Sequence, residues 1–139
     1  MLTLEMVEKL RSVGFSFPQL EHECNRGKTY FLNGKEYIIS GNSSGNSYYE
    51  YERMIAQKGV WLPDAGDLFK WLELTGHNVT ISYKSDERYY YGEAENAEKQ
   101  TFKGSGPTIE CCLYKIIYKI CRDSDPAPVP EEILILDAE

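Results

Sequence analysis

A chain of 139 residues with 42% hydrophobic and 27% charged content can bury one real core and is too apolar to stay disordered. Its net charge of −7 excludes the basic footprint that nucleic acid requires, and no apolar run reaches the length of a membrane span. Five of the 22 acids (Asp125, Glu131, Glu132, Asp137, Glu139) fall in the last stretch, leaving 17 against 15 bases, a body net of −2. A dense acidic face of the kind that mimics DNA is therefore not expected either. The N-terminus lacks the basic-then-apolar layout of a signal peptide, so the expected compartment is the cytosol.

Thr3 is placed to cap a first helix with either Leu4, Val7 and Leu10 or Met6, Leu10 and Val13 on its buried side, and Gly14 is its expected stop. Thr29 to Ser40 reads as a hairpin, because Asn33-Gly34 favours the type I′ turn whose twist suits two antiparallel strands. A polar loop follows: Gly41, Asn42, Ser43, Ser44, Gly45, Asn46, Ser47. Ser47 is placed to cap a helix from Tyr48 to Gln57. Trp61-Leu62-Pro63 leads into another helix, capped by Asp64 or Asp67, with Leu68, Trp71, Leu72 and Thr75 on one face and Gly76 as its end.

Val79, Ile81 and Tyr83 alternate with Thr80, Ser82 and Lys84, the pattern of a half-buried strand. Ser85-Asp86-Glu87 turns the chain, and Arg88 to Gly92 returns as the partner strand. Ala94 to Gln100 reads as a charged connection and Phe102 as a short strand or anchor. Gly104 to Pro107 punctuates, Thr108 caps, and Ile109, Leu113, Ile116, Ile117 and Ile120 form the buried stripe of a closing helix. The expectation is an α+β domain over residues 1–124: an antiparallel sheet of two hairpins with N- and C-terminal helices and a central helix. Residues 125–139 form a Pro-rich spacer and an acidic, apolar tail. Ile133 to Leu136 is too apolar to leave in water and is expected to pair as an edge strand, on its own sheet or on a second copy's.

This order of signals resembles a loose group of small phage and prophage proteins of the phage ABA-sandwich type. The matching pieces are Met1 to Gly14, Gly59-Val60-Trp61-Leu62-Pro63 through Leu72, Val79 to Gly92, and Gly104 to Ile117. That group usually carries Ala where this closing helix has Cys111 and Cys112, so a bulkier helix must be accommodated here. The resemblance brings no catalytic residue. It implies an accessory protein that counters host defence by sequestering a nucleotide-like ligand or a host protein, or else a minor virion or assembly component.

Chemistry-bearing motifs are sparse. Glu21-His22-Glu23-Cys24 lacks the second His of a zincin, with Arg26 in its place, and lacks the deaminase pattern. His77 falls at a turn, where it reads as solvated. Cys24, Cys111, Cys112 and Cys121 have no C-x-x-C spacing and read as small buried hydrophobes, so no metal, cofactor or catalytic residue is expected. The loop Gly41 to Ser47 has the position of a phosphate loop without the Lys of a Walker motif. Its backbone N–H groups, with Tyr48, Tyr49 and Arg53, form the expected contact for an anionic ligand. The 11 tyrosines favour a contact surface, and on a strand Tyr90 must face away from Tyr89 and Tyr91.

Overall fold

The structure is a computed structural model and describes residues 1–17, 25–41 and 47–130, without the side chains of Ser47 and Tyr48. Four helices and six strands follow in the order α1 (Leu4–Ser12), β1 (Thr29–Leu32), β2 (Lys35–Ile38), α2 (Ser47–Lys58), β3 (Val60–Leu62), α3 (Ala65–Leu74), β4 (Asn78–Lys84), β5 (Tyr89–Glu95), β6 (Thr101–Gly106) and α4 (Ile109–Asp123). The α+β class, both hairpins and the terminal and central helices are as the sequence implies. The strands form two antiparallel three-stranded sheets, β2-β1-β3 and β4-β5-β6, rather than the single sheet the sequence suggests. Each hairpin has gained a third strand.

Two compact units result, Gln19–Pro63 and the remainder. In the smaller unit, Asn33 (φ 51°) and Gly34 (φ 82°) make the left-handed turn expected of Asn-Gly, pairing Leu32 with Lys35. Val60, Trp61 and Leu62, read from sequence as a lead-in to a helix, pair with Phe31, Tyr30 and Thr29 as β3. A strand of three residues ending at a proline is too short for alternation to reveal. Tyr30, Ile39 and Ile55 form the core, with α2 packed on β1.

In the larger unit the caps are those the sequence offers. Thr3 Oγ1 accepts from the Met6 amide and Thr108 Oγ1 from the Cys111 amide. Asp64 and Asp67 both act, in a reciprocal capping box: each carboxylate accepts the other's backbone N–H, at 2.9 and 3.0 Å. Helix α4 carries buried residues in adjacent pairs, Cys112/Leu113, Ile116/Ile117 and Ile120/Cys121. A stripe that broad serves neighbours on more than one side, and α4 packs against β5 and β6 as well as α1 and α3.

The sheet receives α4 on glycines. A Cβ on Gly92 would lie 2.6 Å from Cys112 Sγ, and one on Gly106 would lie 2.7 Å from Cys111 Sγ. On Gly104 it would meet the Cys112 carbonyl oxygen at 2.6 Å. The two cysteines that make this helix bulky are thus accommodated by missing side chains opposite. Gly104 and Gly106, taken from sequence as punctuation before the helix, are in fact the end of β6.

Burial explains the thiols and the histidine. Cys112 and Cys121 are buried and free, and loss of water raises both thiol pKa values, that of Cys121 to about 11. His77 is buried, with Nδ1 3.0 Å from Thr75 Oγ1 and its ring edge-on to Phe102, which corrects the solvated reading. Desolvation depresses its pKa below 6.5, against smaller opposing effects of a backbone hydrogen bond at Leu72 and of Glu98. The unfolded chain therefore takes up the proton more readily, so His77 contributes stability above about pH 6.5 that is lost as pH falls through its depressed folded value. Urea unfolding of His77→Gln should show a smaller loss of stability between neutral pH and about pH 5 than the parent. Equal slopes would contradict the assignment.

Candidate functional site

The register of the second sheet sorts its side chains by face. Val79 and Ile81 on β4 align with Ala94 and Gly92 on β5 and with Phe102 and Gly104 on β6, the face covered by α4. On the opposite face Thr80 stands beside Glu93 and Glu93 beside Lys103, while Ser82 stands beside Tyr91 and Tyr91 beside Ser105. Lys84 and Tyr89 complete that face at the hairpin end. Tyr89 and Tyr91 share the outer side with ring centroids 5.7 Å apart, and Tyr90 packs on Tyr83 on the other, as strand alternation requires.

A depression of about 680 Å³ lies on this outer face, within the range of small-ligand sites. Lysines gather around it. Lys84 comes from the β4 edge and Lys103 from the β6 edge; Lys115 and Lys119 reach it from α4. The Lys115 ammonium donates to the Ser105 carbonyl at 2.7 Å, and that of Lys119 donates to the Lys103 carbonyl. These bonds blunt the open edge of β6. They also hold two cations in place while each ammonium keeps donors to spare, since a lysine carries three. Lys84 Nζ lies 5.3 Å from the centre of the Tyr91 ring, a cation–π contact. The Tyr91 hydroxyl donates to Glu87 at 2.9 Å, and this bond is the main cause of its raised pKa.

The loop expected to hold a ligand is described only at its ends. Asn42, Ser43, Ser44, Gly45 and Asn46 lie outside the described residues, as do the side chains of Ser47 and Tyr48, which begin α2. Gly41 has φ +75°, and a Cβ there would come within 2.8 Å of Arg26 Cβ. Tyr49 and Arg53 are one turn apart on α2, with the guanidinium carbon 5.7 Å from the Tyr49 ring centre. Between them in sequence, buried Glu52 accepts the Ser40 N–H and hydroxyl, each at 2.8 Å, tying α2 to the end of the first hairpin. His22, Cys24 and the tail from 131 to 139 are likewise outside the described residues. Among the described residues no group of three His, Cys, Asp or Glu is placed to hold a metal, and no helix is long and apolar enough to cross a membrane.

The fold and this face define a small α+β protein with a lysine-rimmed, hydroxyl-lined sheet surface in an otherwise acidic chain. In comparisons with protein-family models, with curated proteins and with solved structures, nothing matches it.

Proposed function

We propose that this is a non-catalytic binding protein whose ligand is a small, anionic, nucleotide-like molecule taken on the outer face of the second sheet. The carrying observation is the gathering of Lys84, Lys103, Lys115 and Lys119 around one depression in a chain of net charge −7. Such a local excess of cations attracts an anion against the field of the whole molecule. The floor carries Thr80, Ser82, Ser105 and Tyr91, which suit hydrogen bonding and stacking, and one carboxylate, Glu93, on its middle strand with no second acid beside it in the lining. The buried thiols are poor nucleophiles with raised pKa values, which also supports binding over turnover. On the sequence's resemblance to small phage proteins, the proposed role is that of an accessory protein in the host cytosol, sequestering such a ligand from a host defence system.

Calorimetric titration with inorganic pyrophosphate and with ADP tests this reading. Binding is expected to weaken with added salt, and about tenfold, or about 1.4 kcal/mol, in Lys103→Glu. Absence of saturable binding to either compound, or binding indifferent to that substitution, would overturn it.

A further inference from the structure

The charges on the outer face are not evenly spread. The cations stand at its two edges, Lys84 on β4 and Lys103, Lys115 and Lys119 at β6, while the middle strand presents Glu93 and Tyr91. Glu93 stands between Thr80 and Lys103 in the ladder, so the middle strand sets a carboxylate-bearing residue between the two cationic edges. A single anion bound at the centre would meet that carboxylate; anions at the edges would not. The edges are two strand spacings apart, about 10 Å.

Building on the binding role above, we propose that the ligand carries two phosphoryl groups, one taken at each edge, joined by an uncharged middle that lies over Tyr91 and the hydroxyls. Lysine suits phosphoryl groups as a point charge, and the lining contains no Arg for bidentate grip of a carboxylate. Lys115 and Lys119 are fixed by their carbonyl bonds, so one end of the site is preorganised. Lys84, resting on Tyr91, closes the other end by shifting from the ring to the phosphoryl group.

The test uses phosphonates as rulers: methylphosphonate, ethylene bisphosphonate and octamethylene bisphosphonate, the last long enough to reach both edges. With the full chain, the long compound is expected to bind about tenfold tighter than either of the others, because its second end binds intramolecularly. Lys84→Gln should remove that advantage, so that octamethylene bisphosphonate then binds no tighter than methylphosphonate does to the same variant. Glu93→Gln should strengthen methylphosphonate by admitting an anion at the centre. If all three bind alike and Lys84→Gln changes nothing, the two-ended ligand is wrong while an anion-binding role stands. If none binds, both are wrong.

Discussion

Replacement of Trp71 by alanine is expected to cost about 3–5 kcal/mol of unfolding free energy, the range for removing a fully buried large aromatic. Trp71 has no exposed surface, and its ring packs on Phe15 at 5.5 Å between centroids. Its indole N–H donates to the Ser16 carbonyl at 2.9 Å, tying α3 to the segment that follows α1. Alanine would leave both a cavity and a carbonyl without its donor. Trp71→Phe keeps most of the ring and should cost less, about 1–3 kcal/mol, chiefly for the lost bond. Equilibrium urea unfolding measures both. A cost below about 1 kcal/mol for the alanine variant would show that the surroundings collapse onto the gap, contrary to the tight contacts described.

The second large effect is expected at the glycine seat of α4. Gly104→Ala sets its new methyl 2.6 Å from a backbone oxygen, that of Cys112, which can retreat only if the helix moves. A loss of about 1–3 kcal/mol is expected, as for other overpacked cores. Gly92→Ala meets side-chain atoms instead, Cys112 Sγ at 2.6 Å and Ile81 Cδ1 at 2.7 Å. The two sites should therefore respond differently to Cys112→Ala. That change removes the sulfur and should recover part of the Gly92→Ala loss, a coupling of about 0.5–3 kcal/mol, while doing nothing for Gly104→Ala. Equal rescue at both sites would show that the helix shifts as a whole and that the close approach at Gly104 is not the constraint.

The helices and the first hairpin were legible in sequence because their signals are local. Thr3, Asp64 and Thr108 cap, Gly14 and Gly76 stop with positive φ, and Asn33-Gly34 specifies its own turn. Strand β3 was not legible, and β6 was legible only at Phe102, read as a short strand or anchor. Val60–Leu62 is too short for a pattern, and Gly104 and Gly106 in β6 carry no side chain to alternate. Glycine there answers to the cysteines of α4, a tertiary reason that local propensity does not contain.

The lysine-rimmed face is not legible in the sequence for a related reason. Thr80, Ser82 and Lys84 were recognised as the polar side of a strand, but the cluster exists only once β6 pairs with β5 and α4 lays Lys115 and Lys119 along its edge. The i, i+4 spacing of those two lysines was the one local signal for it. The polar loop at Gly41 to Ser47 is conspicuous in sequence by its composition, and its centre lies outside the described residues.

Amide chemical-shift mapping during titration with pyrophosphate tests the central claim most directly, because it reports on both regions of the chain at once. The account predicts saturable shifts at Thr80, Ser82, Tyr91, Lys103 and Ser105, with residues 41–53 unmoved. Shifts confined to residues 41–53, or none anywhere, would contradict it.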